Sequence, residues 1–314
     1  MSSRRSLFSN VALTRRGVIG GLAGVGAAVA VAPRLSWAQS ATPDAATPEP
    51  ATPIANDGTW AAWTKFNLNL ITSEQILTIP GAGDKMTHEF AEYRPYSTIL
   101  SFRQEIGKYV GDDVAAGYEK YVFVPIDPTQ ADADTIATLP GVDADMAKEL
   151  AAGVPYASDD AFLQAVAAKV SVDQAAAIPT YLASKAQPSI TWIMFNLNTA
   201  SDDQFLTVPS SGDKMLVEFK EYRPYTTIKS FEDELGKYVD SSVVSGYEKY
   251  LFVPVDPTQA DAETLAQLPG VNADIAADLV KGVPYASTDA FLQALGGVVS
   301  EDQLAAAKAF LAAS

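Results

Sequence analysis

Ile79-Pro80-Gly81-Ala82-Gly83-Asp84-Lys85 is the stretch on which the reading of the fold depends. Proline followed by glycine cannot continue a helix, so the chain must reverse here. Thr72 or Ser73 can cap a short helix that ends near Leu77. Asp84 can cap the next one, whose Met86, Phe90 and Tyr93 fall at helical spacing. Pro95 stops it. Ser97 or Thr98 then starts a third helix with Ile99, Phe102 and Ile106 on one face, broken by Gly107 and Gly111, and a fourth covers roughly residues 114–121. Period-two runs are short. The best, residues 121–124, reads as a connector between helices.

The unit recurs. From Trp63 onward the sequence repeats with a shift of 129: Phe66-Asn67-Leu68-Asn69 returns as Phe195-Asn196-Leu197-Asn198, and Glu92-Tyr93-Arg94-Pro95-Tyr96 as Glu221-Tyr222-Arg223-Pro224-Tyr225. Of the 25 positions 118–142, 20 are identical in 247–271, which marks a modular duplication. A fainter repeat with a shift of 60 lies inside each copy. Ile79-Pro80-Gly81 matches Leu139-Pro140-Gly141, and Pro95-Tyr96 matches Pro155-Tyr156. Pro80, Pro140, Pro209 and Pro269 therefore mark four related turns. The expected fold class is all-α: two tandem copies of a compact helical domain, residues 59–187 and 188–314. Whether the copies pack on each other or swing about Lys185-Ala186-Gln187-Pro188 is open at this level.

Composition narrows the chemistry. The 314 residues are 48% hydrophobic, enough for a packed core. With 22 Lys+Arg against 38 Asp+Glu, the net charge is −16, a field that repels polyphosphate at long range. There is no cysteine, which excludes disulfides, thiolate metal sites and cysteine nucleophiles, and one histidine, His88, which excludes sites needing two. No cofactor and no metal are expected. Thr14-Arg15-Arg16-Gly17-Val18-Ile19 reads as a twin-arginine export signal, followed by a Gly/Ala-rich apolar run and the small residues Ser36-Trp37-Ala38 at a cleavage site. Residues 1–38 are thus expected to be a signal peptide and the mature chain extracytoplasmic, with no stable membrane insertion after cleavage. Thr-Pro recurs at Thr42-Pro43, Thr47-Pro48 and Thr52-Pro53, so residues 39–58 read as an extended, disordered linker.

The Asn67-Leu68-Asn69 opening, the Thr72-Ser73 cap, the Pro80-Gly81-Ala82-Gly83 turn and the Tyr93-Arg94-Pro95-Tyr96 close resemble the helix-hairpin-helix family, in its ComEA-like competence DNA-receptor form. The resemblance recurs four times over most of residues 63–300. It implies binding of double-stranded DNA without sequence preference, with amides at the start of the second helix accepting a phosphate oxygen. The phosphate-binding residues it implies are Gly81, Ala82, Gly83, Lys85 and Arg94 in the first copy, and Ser211, Gly212, Lys214 and Arg223 in the second. The pattern is uneven. The third turn reads Ser210-Ser211-Gly212, without its leading glycine. The second and fourth read Gly141-Val142-Asp143 and Gly270-Val271-Asn272, and Asp143 would put a carboxylate where a phosphate should sit; Asp84 and Asp213, just past the other two turns, are also unhelpful, though Lys85 and Lys214 adjoin them. Residues 59–125 carry 6 basic against 8 acidic side chains, whereas 126–187 carry 3 against 9. The first half of each copy is the better phosphate binder.

Other candidates have plainer readings beside the functional ones. His88 is replaced by Val217 in the second copy, which suits a surface histidine. Arg94 and Arg223 could clamp a phosphate, or could bind helix-end carbonyls or Glu92 and Glu221. Tyr109, Tyr118 and Tyr121 with Lys108 and Lys120 could stack on a strand or a protein partner, or place rings in the core. No catalytic residues are expected: Asp112-Asp113 becomes Ser241-Ser242 and Asp159-Asp160 becomes Thr288-Asp289, so no acid pair is held in both copies. An enzyme would need carboxylates alone, in a cleft between the copies. The main alternative to DNA binding is an acidic interaction or structural module for an envelope or extracellular protein.

Overall fold

The expectation of an all-α chain is wrong: the described residues contain a four-stranded sheet, so the fold is mixed α/β. The computed structural model describes residues 59–185 and 187–312. The expected signal peptide (1–38) and linker (39–58) lie outside them. Strand β1 is Trp60–Asn67 and β3 is Ser189–Asn196; the short β2 (Val122–Phe123) and β4 (Leu251–Phe252) flank them. The connector at 121–124 is therefore a strand.

The sheet depends on the duplication. Within each copy the pairing is parallel: β1 with β2, and β3 with β4. Such a two-stranded ribbon leaves one long edge of unpaired N–H and C=O groups, which is marginal alone and prone to pair. Each copy's edge is covered by the other copy's, through an antiparallel ladder from Trp60↔Phe195 to Phe66↔Ser189. Alternation in β3 buries Ile190, Trp192 and Met194 and leaves Ile193 exposed. The two copies belong to one compact unit. The junction is fastened as well: the Asn67 side-chain amide donates to the Gln187 carbonyl at 2.9 Å, and its backbone N–H donates to Pro188 at 2.9 Å.

The first-half helices form where they were expected, with shifted ends: the fourth is Asp112–Tyr118 rather than 114–121. Thr72 caps Ser73–Leu77 with a capping box, and Thr98 does the same for Ile99–Val110. Gly107 lies inside that helix, and Gly111, at φ 85°, ends it. Gly83 rather than Asp84 is the N-cap of Asp84–Glu92.

All four motifs share one internal joint. The peptides before Pro95, Pro155, Pro224 and Pro284 are cis. The tyrosine after each proline meets a phenylalanine edge-on, with centroids 5.5, 5.2, 5.6 and 5.2 Å apart for Tyr96–Phe102, Tyr156–Phe162, Tyr225–Phe231 and Tyr285–Phe291. In the first half of each copy an asparagine closes the joint. Asn69 accepts from the Tyr96 N–H and donates to its carbonyl, and Asn198 does so with Tyr225. Buried Leu68 and Leu197 complete the Asn-Leu-Asn opening.

Candidate functional site

The four turns divide into two kinds. At the Pro80 turn Gly81 takes φ 82°, which a side chain would strain, and its carbonyl accepts from the Tyr118 hydroxyl at 2.9 Å. Gly81, Gly83, Asp84 and Lys85 are exposed. No side chain caps the helix Asp84–Glu92; within its first turn the Met86 N–H donates to the Gly83 carbonyl at 2.8 Å, and Asp84 stands at the positive end of the dipole. The Pro209 turn is similar with a distortion. Ser210 takes the left-handed conformation at φ 62°, its carbonyl accepts from Tyr247, and helix Gly212–Glu221 also has no side-chain cap.

The Pro140 and Pro269 turns are closed. Asp143 accepts from the N–H groups of Asp145 (3.1 Å) and Met146 (2.8 Å), filling the position a bound anion would occupy. Asn272 accepts from Ile275 at 2.9 Å. Gly141 and Gly270 are buried. Gln174 lies against Gly141 and donates to the Thr207 carbonyl of the second copy; Gln303 lies against Gly270 and donates to Thr78 of the first. The Gly141 N–H donates to the Tyr250 hydroxyl across the same boundary.

The turns meet across the copies, not only within them. The Ser210 hydroxyl donates to the Asp143 carboxylate at 2.9 Å, joining the third turn to the second. The side chain of Asn272 lies beside Gly81, joining the fourth turn to the first. Across the copies the Pro209 turn thus meets a carboxylate and the Pro80 turn a neutral amide, while each turn also carries an acid of its own in the following helix, Asp213 and Asp84. Of the four, the Pro80 turn is the one that is exposed, lacks a side-chain cap and meets no carboxylate of the other copy.

The residues expected to touch phosphate are scattered in role. Lys85 is exposed, with its Nζ 4.8 Å from the Tyr109 ring. Tyr109 shares a 2.7 Å hydrogen bond with Tyr93, and Lys108 lies 5.9 Å from the Tyr93 ring, so a patch of Lys and Tyr adjoins the first turn. Lys214 and Gly212 are exposed beside the third. Ala82 and Ser211 are buried, the latter donating to the Phe205 carbonyl at 2.7 Å. Arg94 and Arg223 turn inward: Arg94 donates to the Ile71 carbonyl at 2.7 Å, and Arg223 to Leu197 and Ala200 at 2.7 and 2.8 Å. Burial holds both guanidinium pKa values below the usual one. The arginines fasten the Asn-Leu-Asn segment to the helix end. This differs from the plainer reading, which expected carbonyls at a helix C-terminus or the neighbouring Glu92 and Glu221: Ile71, Leu197 and Ala200 lie ahead of the N-caps Thr72 and Ser201.

His88 is exposed, 3.4 Å from Glu92 one helical turn on. Asp112-Asp113 and Asp159-Asp160 lie in the first turns of Asp112–Tyr118 and Asp159–Ala167, where carboxylates favour the helix dipole. A groove of about 530 Å³ opens between the copies, walled by Trp63, Phe66, Tyr121 and Pro269, with Glu74 and Asp302 among its residues. Hydrogen bonds from its own backbone N–H and from Thr72 hold the Glu74 carboxyl below its usual pKa, the opposite of what a general acid needs. Among the described residues no helix is long and apolar enough to cross a membrane, and no group of three His, Asp or Glu is arranged to hold a metal ion. No known family model, curated protein or solved structure matches the chain.

Proposed function

We propose that this chain is an exported, non-catalytic binding protein of the helix-hairpin-helix type. It grips the phosphate backbone of double-stranded DNA through the Pro80 turn and, more weakly, through the Pro209 turn. One observation carries the reading. The Pro80 turn is exposed and uncapped, with Lys85 beside its amides, whereas the Pro140 and Pro269 turns are buried and capped by their own Asp143 and Asn272. An uncapped helix N-terminus is an anion site, and a neighbouring lysine adds a point charge. The acidic remainder of the surface keeps the contact local and salt-sensitive.

The test is an electrophoretic mobility assay of the chain lacking residues 1–38, with duplexes of unrelated sequence, at low and high salt. Retention at low salt, indifferent to sequence and lost steeply as salt rises, is the expected result. No retention at low salt ends the reading. A second reading is favoured by the burial of two of the four turns, which serve to join the copies. On it, all four turns are packing devices and the acidic face meets an envelope or extracellular protein. That reading expects a protein that ignores DNA yet is recovered with a partner from the cell envelope.

A further inference from the structure

The duplication supplies its own control for a cluster of charges. In the first copy Arg103, on helix Ile99–Val110, forms a two-point ion pair with Glu119 and reaches Asp134 at 3.3 Å. One guanidinium thus neutralises two carboxylates from two other elements. The repeat places Glu232, Glu248 and Glu263 at the three equivalent positions, so arginine is replaced by a third acid. Lys65, which also acts on Glu119, is replaced by Met194. The second copy has lost both cations and kept both acids.

The packing is otherwise conserved. Glu232 lies on helix Ile228–Leu235, Glu248 is the C-cap of Ser241–Tyr247, and Glu263 lies in the first turn of Ala262–Leu265. The Oε1 atom of Glu248 is buried and accepts from no donor, as expected of a carboxylate facing other carboxylates. The remaining charged neighbours are Asp233, on the same helix as Glu232, and Lys229, whose ammonium already pairs with Asp233 at 3.1 Å. That one exposed lysine acts on Asp233, Glu232 and Glu263, and no cation acts on Glu248. The three glutamates are not gathered as metal ligands would be. A proton is the cation that fits, because it turns Glu248 from an orphaned acceptor into a donor to Glu232.

We propose that Glu232, Glu248 and Glu263 form an acid-sensing joint confined to the second copy: the folded protein holds a proton between Glu248 and Glu232, and releasing it sets two carboxylates against each other at the meeting point of three helices. The joint adjoins the third turn, since Tyr247, next to Glu248, holds the Ser210 carbonyl. Deprotonation loosens this region, and acid tightens it. The proposal goes beyond the binding reading above and does not depend on it. Burial, and then the charge of Glu232, push the Glu248 carboxyl up to about 7 from 4.5. A folded-state value raised above the unfolded one gives stability that is complete below 4.5 and is lost as pH rises through 7.

The test is an NMR titration of glutamate side-chain carboxyls in the chain lacking residues 1–38, with melting temperatures at pH 5 and pH 8. Glu232→Arg restores the first copy's ion pair, and Glu232→Gln removes the charge with little change of shape. The expected result is a Glu248 midpoint near 7 in the parent protein that moves into the ordinary carboxylate range in E232R. The melting temperature of E232R at pH 8 should exceed the parent's, and its fall from pH 5 to pH 8 should be smaller. E232Q should lower the midpoint part of the way. A parent midpoint in the ordinary range overturns the proposal, as does an equal pH dependence in all three proteins.

Discussion

Trp63 and Trp192 face each other across the central antiparallel ladder, and each is the other's counterpart in the duplication. A local twofold axis therefore passes between them, and the two copies meet as a symmetric dimer would, within one chain. Each indole N–H donates to the backbone carbonyl that precedes its own copy's short strand, Trp63 to Lys120 at 3.1 Å and Trp192 to Lys249 at 2.8 Å. Trp63 also stacks on Phe310, near the end of the second copy, at 5.9 Å. The pair ties the ladder to its flanking strands and to the opposite copy.

Trp192→Ala should destabilise the whole unit. The side chain is buried, and large-to-small changes at such aromatics cost about 3–5 kcal/mol. Ile193→Ala, on the exposed face of the same strand, should stay within about 0.5 kcal/mol. Chemical denaturation of both variants checks this. Equal losses would show that the ladder's inner face does not carry the stability.

Arg94 and Lys85 should separate cleanly. Arg94→Ala removes the bond to the Ile71 carbonyl from a half-buried site and should cost about 1–3 kcal/mol. Lys85→Ala removes an exposed side chain and should leave stability within about 0.5 kcal/mol. In the mobility assay, Lys85→Ala should weaken DNA retention and reduce the salt slope by about one. A Lys85→Ala protein that binds DNA like its parent would remove this lysine from the interface.

Asp143 should behave as a cap. Its carboxylate serves two backbone amides and the Ser210 hydroxyl. Asp143→Ala should cost about 1 kcal/mol of stability, read from thermal melts, with Asp143→Asn retaining most of it. Stability unchanged in Asp143→Ala would mean that water caps this helix as well as the carboxylate does.

Lys65 sets an alkaline trend opposite in sign to that of the glutamate joint. Burial, and then the charge of Lys249, lower its pKa to about 8 from 10.5. Below 8 the folded protein bears a buried ammonium, 4.2 Å from the Trp192 ring. Between 8 and 10.5 the unfolded chain binds more protons than the folded one, so stability rises with pH. Lys65→Met copies the second repeat's Met194 and should flatten that rise while stabilising the protein at pH 7. Urea denaturation from pH 7 to pH 10 measures the slope, and an unchanged slope would assign the trend to other groups.

Duplication, the four Pro-marked turns, the unevenness of the turns and the helix caps, save that of Asp84, were legible in the sequence. Each depends on residues close together in the chain: a proline that cannot donate, a threonine that caps its own helix, an aspartate within reach of the amides that follow it. The sheet was not read, although Ile190, Trp192 and Met194 carry its alternation. Eight apolar-leaning residues suit a helix or a strand equally, and here the choice is made by a partner strand 129 positions away. The site divides in the same way. Sequence placed the Asp143 carboxylate at the start of a helix, where it caps the amides that follow. Only the tertiary structure buried Gly141 and Gly270 under Gln174 and Gln303 of their own copies, tied those glutamines to Thr207 and Thr78 of the opposite copies, and turned Arg94 and Arg223 inward. Local chemistry decides what a segment can form, and the covering of open strand edges across the repeat decides what it forms here.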